Sequence, residues 1–179
     1  LTALIPEIGQ PQIVRMGVQR QPDTRVHCIR SDGTVALLIF DKTEEIVCWV
    51  EDESTGASGD VEDVVVLPGA EGSDEDRVYY VVKRTINGST VRYLEKHAKE
   101  SECVGGTTNK QADSFITYSQ AASSTISGLS HLEAASVVVW DNGKCLRTSA
   151  GAIATFTVSS GAITVTNAGV AYSATVGMV

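Results

Sequence analysis

The stretch RVYYVVKRTINGSTVRYLEK, residues 77–96, decides the fold of this 179-residue chain. In it, the apolar run VYYVV (78–82), typical of a strand covered on nearly both faces, and the alternating segment TVRYLEK (90–96) flank the pair Asn87–Gly88. Alternation with a period of two is typical of half-buried strands, and Asn-Gly is the pair that best tolerates the positive φ angles of a type I′ turn. The stretch therefore predicts a β-hairpin with strands over Val78–Arg84 and Thr90–Lys96.

The same alternation extends over most of the chain, and helical periodicity is almost absent. Turn sequences rich in Gly, Asp and Ser recur at a spacing of roughly ten residues. Such a pattern predicts an all-β fold of antiparallel sheets, arranged as propeller blades or as a sandwich. The strands predicted before the hairpin are Gln12–Gln19, Arg25–Arg30, Val35–Phe40, Ile46–Glu51 and Glu62–Leu67.

The character of the sequence changes after Lys96. Residues 101–112 are polar and contain a Gly-Gly pair, which predicts a junction loop between a first β unit over 1–100 and a second over 113–179. The second unit has shorter strand patterns and another Asn-Gly turn, in WDNGK at 140–144. Its predicted strands lie within 113–119, 125–133, 135–147, 154–165 and 169–176.

Charge is distributed unevenly along the chain. The net charge is -8, with twelve acids and no Lys or Arg in residues 44–76, and no charged residue in 148–179. The basic residues of the hairpin follow the acidic run directly: Arg77, Lys83, Arg84, Arg92 and Lys96. Because neighbours on a strand point to opposite faces, Lys83 and Arg84 divide their charge between two sides of the sheet. Neutralisation by the acidic strand Glu62–Leu67 is therefore favoured over binding of nucleic acid or another polyanion.

The residues that could carry chemistry form no recognisable site. His27, His97 and His131 lack metal-ligand spacing, and no Gly-rich phosphate loop is present. The sequence SHLE at 130–133 resembles a nucleophilic triad only superficially, because adjacent residues point to different sides, and a polar connection between strands is favoured. We therefore predict no catalytic residue, no metal ligand, no cofactor-binding residue and no cofactor.

The four cysteines form no Cys-x-x-Cys pair, so we expect free thiols at Cys28, Cys48, Cys103 and Cys145. Cys28 and Cys48 lie in apolar strand patterns, where a thiol behaves as a small hydrophobic group. No apolar run approaches the roughly 20 residues of a membrane-spanning helix. The chain begins with Leu1 rather than Met and has no readable signal peptide, which predicts a piece of a longer polypeptide.

Several longer stretches, taken together, resemble the tail proteins of tailed bacteriophages and prophages, of the tail tubular protein B or nozzle type. The resemblance extends over about residues 11–177. The family pattern places Asp-Gly at Asp32–Gly33, and the residue after HLE, usually glycine in the family, is Ala134 here. The residue before His131, usually an acid in the family, is Ser130. The stretches are GVQRQPDTRVHCIRSDGTVALLIFDKTEEIVCW (17–49), VEDVVVLPG (61–69), DRVYYVVKRTINGSTVRYLEK (76–96), TISGLSHLEAASVVVWDNG (125–143) and FTVSSGAITV (156–165).

The resemblance implies a non-enzymatic virion protein, made in the cytoplasm of a bacterial host and located in the phage tail. Its partners would be other tail proteins and copies of itself in a ring, through which DNA passes without specific binding and without membrane insertion. The fold implied is a propeller-like sheet unit followed by a small β-barrel-like module. Loops of the acidic run 44–76 would face the lumen or solvent, and 148–179 would contact neighbouring subunits or domains.

Two other functions compete with a tail conduit. A receptor- or carbohydrate-binding β-module on the tail would need exposed aromatic side chains, but most of the ten aromatic residues lie in strand patterns. A hydrolase acting on the cell wall would need paired carboxylates in a cleft, and the acidic run is loop-like in sequence.

Overall fold

A computed structural model of the protein describes residues 6–52, 59–103, 113–118, 123–141, 143–165 and 174–178. Its strands form antiparallel sheets, and the one α-helix among those residues is the four-residue turn Glu100–Cys103. The predicted all-β class is therefore confirmed. By contacts, the chain divides into two compact units, one formed by 1–85 with 90–97 and the other by 86–89 with 98–179.

Every strand that the alternation predicts up to Lys96 is present, and β5 and β6 are longer than predicted. The turn of the hairpin has φ angles of 48° at Asn87 and 75° at Gly88, which confirms the type I′ conformation. The seven strands are β1 (Ile13–Gln19), β2 (Thr24–Arg30), β3 (Val35–Asp41), β4 (Ile46–Asp52), β5 (Gly59–Leu67), β6 (Arg77–Ile86) and β7 (Ser89–Lys96).

The strands of the first unit form two sheets that share one core. β1 to β4 make a four-stranded sheet in chain order, and β5 to β7 make a three-stranded sheet in chain order. Side chains from one face of each sheet meet between them, because period-two alternation gives each strand one apolar face. The buried members of this core are Ile29, Val35, Val61, Val78, Tyr80 and Val82.

The turn between β2 and β3 lies against the start of β5. Gly33 in this turn has φ of 85°, and a Cβ added there would lie 2.5 Å from the Cβ of Asp60. The carbonyl oxygen of Gly33 accepts a hydrogen bond of 2.9 Å from the backbone N–H of Val61. Both the positive φ and the close approach require glycine at this position.

The other face of the four-stranded sheet is partly covered by the 3-10 turn Pro6–Gly9. Ile8 from this turn packs on Cys28 and Ala36, and Trp49 lies against the same cluster. Burial raises the pKa of the Cys28 thiol, as expected for a small hydrophobic residue in a core. The same expectation is wrong for Cys48, whose side chain is exposed on the edge strand β4. All four cysteines are free, as predicted.

The second unit contains shorter strands. Five strands form one sheet: four of them follow the order β11-β10-β14-β8, and the fifth, β12, pairs with β10. β13 and β9 form a separate two-stranded sheet. The implied barrel is not formed by the strands that are described, because β11 and β8 remain unjoined ends of the sheet. These strands are β8 (Asp113–Tyr118), β9 (Thr125–Ser127), β10 (Ser136–Asp141), β11 (Lys144–Cys145), β12 (Thr155–Thr157), β13 (Ala162–Thr164) and β14 (Ala174–Met178).

The core of the second unit draws many residues from outside its strands, such as Leu129, Leu132 and Val158. The expectation that 148–179 contacts neighbouring subunits or domains is wrong for its buried members, because Val158, Ile163 and Val165 pack within their own unit. The buried residues of this core are Tyr118, Ile126, Leu129, Leu132, Val137, Val139, Val158, Ile163 and Val165.

Some predicted features lie wholly or partly outside the residues that the structure describes. They include the turn over 54–60, most of the junction 101–112 and the first part of the strand over 169–176. Asn142 of the second Asn-Gly turn is also among them, although the flanking pair Asp141 and Lys144 is in register between β10 and β11.

Candidate functional site

The basic hairpin was the one candidate for polyanion binding in the sequence, and the structure places acids beside two of its cations, Lys83 and Arg92. The Nζ of Lys83 lies 2.7 Å from Oδ2 of Asp60, and the guanidinium of Arg92 donates to both oxygens of Glu62 at 2.7 and 3.1 Å. Asp60 and Glu62 belong to β5, the strand that pairs with β6. The predicted internal neutralisation is confirmed for these two pairs.

These contacts stabilise the charged forms of Glu62, Lys83 and Arg92. The hydrogen bond from Arg92 lowers the pKa of Glu62, and the hydrogen bond to Asp60 raises the pKa of Lys83. Glu62 and Lys83 therefore remain ionised near neutral pH. The same pairs show that part of the acidic run 44–76 lies on strand β5 rather than in loops.

Arg84 points to the opposite face of β6, as the alternation predicts. It is 1% exposed, and its Nε and Nη2 donate to the two oxygens of Glu95 at 2.6 and 2.8 Å. A two-point guanidinium–carboxylate pair is the geometry that best compensates the cost of burying an arginine. This pair is a structural element of the first unit and presents no cation to a ligand.

A buried chain of hydrogen bonds centres on His27, and sequence reasoning missed it. The ring Nδ1 lies 2.5 Å from the Tyr80 hydroxyl, and Nε2 lies 3.1 Å from Oε1 of Gln19. The amide nitrogen of Gln19 donates in turn to the carbonyl of Gln21 at 2.8 Å. These partners lie on β1, β2 and β6, so the network spans both sheets of the unit.

The donor and acceptor roles in this network follow from its last acceptor, the backbone carbonyl of Gln21. A backbone carbonyl only accepts, so the Gln19 amide nitrogen must face Gln21, and its oxygen must face His27. The imidazole therefore carries a proton on Nε2. In a neutral ring Nδ1 then accepts, and the Tyr80 hydroxyl donates to it.

Two of the three histidines converge in space although they are far apart in sequence. The rings of His27 and His97 are 6.1 Å apart in an edge-to-face arrangement, and the Tyr80 ring lies 5.9 Å from that of His97. Among the described residues no group of three or more His, Cys, Asp or Glu side chains could hold a metal ion. The convergence therefore forms an aromatic cluster.

The SHLE sequence does not assemble a nucleophilic triad. His131 Nε2 is hydrogen-bonded to the carbonyl of Ser114 at 3.2 Å, whereas the two oxygens of Glu133 accept from the backbone N–H groups of Ser160 and Gly161 at 2.8 and 2.7 Å. The predicted connection between strands is therefore confirmed, although Leu132 within it is fully buried. Glu133 fixes the turn between β12 and β13 rather than a substrate.

The four-stranded sheet of the first unit carries exposed apolar side chains at both edges. On β1 they are Val14, Met16 and Val18, and on β4 they are Ile46, Val47 and Val50. Among the described strands, β1 pairs only with β2 and β4 only with β3. Such edges are templates for pairing with another strand.

Aromatic side chains do not form an exposed platform in the part of the chain that the structure describes. Tyr80 and Tyr118 are buried, and the others described are only partly exposed: Phe40, Trp49, Tyr79, Tyr93, Phe115, Trp140 and Phe156. Stacking on a sugar requires an accessible ring face.

No protein-family model matches the chain, and no curated protein matches it in sequence. Among the described residues we find no helix with the length and hydrophobicity needed to span a bilayer.

Proposed function

We propose that this protein is a non-enzymatic structural component of a bacteriophage tail, of the tail tubular protein B or nozzle type. In this role it assembles with copies of itself and with other tail proteins around a channel for DNA ejection. The protein is made in the cytoplasm of the bacterial host and functions in the virion.

The observation that carries the proposal is where the residues of the resemblance lie in the fold. Gly33 of the Asp-Gly pattern has φ of 85°, and Asn87 and Gly88 of the hairpin pattern both have positive φ. Ala134, at the place where the family usually has glycine, also has a positive φ of 64°. The family pattern is thus compatible with the backbone at these positions, and this agreement supports the proposal.

The charges support a conduit rather than a nucleic-acid-binding surface. Two exposed cations of the hairpin, Lys83 and Arg92, are paired with Asp60 and Glu62, and the chain as a whole has a net charge of -8. Affinity for DNA depends on cations that replace the counterions of phosphates. Pairing Lys83 and Arg92 with acids within the chain therefore weakens this face as a binding surface for DNA.

The apolar sheet edges support assembly, and the partly exposed or buried aromatic side chains argue against a carbohydrate-binding module. Exposed apolar residues on open strands favour contact with another protein surface.

Localisation in particles tests the proposal directly. Phage particles that encode this sequence would be labelled with gold-conjugated antibody against the chain and imaged by electron microscopy. We expect gold at the tail, and in images of the purified protein we expect rings. Label confined to the capsid, or a lone particle that binds glycans or lipopolysaccharide saturably, contradicts the proposal.

A second measurement concerns DNA. Fluorescence anisotropy of a labelled duplex at low salt is expected to show no saturable binding to the parent chain. The matched control is Asp60→Asn with Glu62→Gln, which frees Lys83 and Arg92 and should introduce weak, salt-sensitive binding. Saturable binding by the parent chain itself contradicts the conduit proposal.

A further inference from the structure

We infer that the four-stranded sheet of the first unit continues from one copy of the chain into the next, through pairing of β4 with β1 of the neighbour. The inference rests on the proposed function, because it names the surface through which copies of this chain assemble. Its basis is the geometry and charge of the two open edges.

The direction of the strands permits such continuation. All neighbours in the sheet β1-β2-β3-β4 are antiparallel, so β1 and β4 run in opposite directions. A second copy placed beside the sheet in the same orientation therefore sets its β1 antiparallel to β4. This contact is head-to-tail, and head-to-tail contacts form a ring when the rotation between successive copies closes and an open filament when it does not.

Both edge strands carry exposed apolar side chains. Met16 and Val18 on β1 are 67% and 51% exposed, and Val47 and Val50 on β4 are 46% and 43% exposed. Neither β1 nor β4 contains the Lys or Pro with which edge strands commonly prevent pairing. Joining the strands would cover these side chains and satisfy the outward backbone groups.

The charges of the two edges are complementary. Residues 44–52, which contain β4, include four acids and no base, whereas residues 13–20, which contain β1, include two arginines and no acid. Arg15 donates from Nη1 to the Val14 carbonyl at 2.9 Å and has a loose ion pair with Asp63 at 3.8 Å, and its side chain is 62% exposed. The cationic edge is therefore available to an acidic partner strand.

The symmetric alternatives are disfavoured by the same charges. Two β4 strands paired antiparallel would bring Glu44 and Glu45 of one copy near the acids at the opposite end of the other. Two β1 strands would bring Arg15 and Arg20 of both copies together. Like charges across neighbouring strands are destabilising, so only β4 with β1 avoids repulsion.

Two variants of the full chain test the pairing by analytical ultracentrifugation. Met16→Glu with Val18→Glu places acids on β1 against the acidic β4 edge, and Val47→Lys with Val50→Lys places bases on β4 against the basic β1 edge. The parent chain is expected to sediment as oligomers and each variant alone as a monomer. An equimolar mixture of the two variants is expected to regain oligomers, because the introduced glutamates on β1 of one variant then meet the introduced lysines on β4 of the other. Leu94→Lys, an exposed apolar residue of β7, is the matched control and should leave assembly unchanged.

Hydrogen exchange on the parent chain gives a second readout that does not depend on variants that fold. Amides of β1 and β4 should gain protection when the protein is concentrated into oligomers, and those of β7 should not.

The pairing is overturned if the parent chain is monomeric, if the β1 variant still self-associates, if the mixture of variants fails to assemble, or if only Leu94→Lys is monomeric. Rings that persist in both variants overturn this interface but leave the tail function standing. Edge-dependent oligomers from a chain that is absent from phage tails support the interface and contradict the tail function.

Discussion

The cores of the two units differ in the polarity of their buried side chains. The buried polar or charged side chains among the described residues are Gln19, His27, Arg30 and Arg84, and all four belong to the first unit. The main core of the second unit is aliphatic apart from Tyr118. The stability of the first unit therefore depends on hydrogen bonds and ion pairs between buried polar side chains, whereas that of the second depends on close packing of apolar side chains.

Strand length is one physical reason for the difference. The strands of the first unit run from seven to ten residues and place several side chains on each inner face. Those of the second unit run from two to six residues, so part of its core comes from turns, as Leu132 and Val158 illustrate. Long paired strands hold a polar residue and its partner in fixed register, whereas short strands joined by turns supply fewer such fixed positions.

The largest expected loss in the free energy of unfolding follows from breaking the buried ion pair between Arg84 and Glu95. Arg84→Leu leaves the Glu95 carboxylate without its guanidinium, and we expect a loss of about 3–5 kcal/mol in the free energy of unfolding of the first unit. Urea denaturation followed by hydrogen exchange would assign the loss to β6 and β7. The double variant Arg84→Leu with Glu95→Leu should recover much of it, since no charge remains buried. An equal loss in both variants would show that the arginine acts through packing alone.

A cavity is the corresponding test of the second unit. Leu132 is fully buried, so Leu132→Ala should cost about 2–5 kcal/mol in the free energy of unfolding. The loss should be confined to amides of residues 113–165 in hydrogen exchange. Leu94→Ala, at a residue 68% exposed, is the control and should change stability little. A small effect of Leu132→Ala would mean that the aliphatic core is loosely packed.

The hydrogen-bond chain of the first unit is expected to have an intermediate effect. Tyr80→Phe removes the hydroxyl that donates to His27 Nδ1, and removal of one partner from a buried polar pair costs about 1–3 kcal/mol. The urea midpoint of Tyr80→Phe would be compared with that of Tyr93→Phe, a partly exposed residue on β7. Equal midpoints contradict a stabilising role for the network.

A backbone substitution in the second unit should be stabilising. Ala134 has φ of 64°, a left-handed conformation that costs an L-residue about 1–2 kcal/mol, and glycine avoids this cost at the expense of backbone entropy. We expect Ala134→Gly to raise the free energy of unfolding by about 0.5–1 kcal/mol. Ala152→Gly, at a residue without positive φ, should lower it. Thermal melts of the two variants and the parent would show whether each substitution raises or lowers the melting temperature.

The smallest expected effect concerns pH. The folded pKa of Glu62 is lowered by Arg92, so its contribution to stability is present above its unfolded pKa of about 4.3 and is lost as the pH falls through the folded value. Over this acid range the parent should lose slightly more stability than Glu62→Gln, and high salt should reduce the difference. Identical pH profiles would show that this exposed pair contributes nothing.

Much of the fold could be predicted because its signals are local. Alternation located all seven strands of the first unit, and Asn87–Gly88 specified its turn through the φ angles that those residues tolerate. The division of Lys83 and Arg84 between two faces also followed from period two alone. The second unit was predicted less well, since two- and three-residue strands such as β11 and β9 carry too few residues for a periodic signal.

The polar network could not be predicted, because its members are distant in sequence and ordinary in type. His27 lies 53 residues from Tyr80 and 8 from Gln19, and nothing in RVHCIR distinguishes a buried histidine from an exposed one. Cys48 illustrates the same limit, since its apolar neighbours predicted burial and its side chain is exposed on the edge strand β4.

The sequence by itself determined the all-β class, the strands of the first unit, the turn of the hairpin and the opposite directions of neighbouring charged side chains. These features depend on residues close together in the chain, where side-chain period and backbone φ preferences act directly. Only the tertiary structure decided which acid meets which base, which histidines converge and which strands are left as open edges. Those outcomes depend on the order of strands in the sheets and on how the sheets pack, which bring together residues that no local pattern connects.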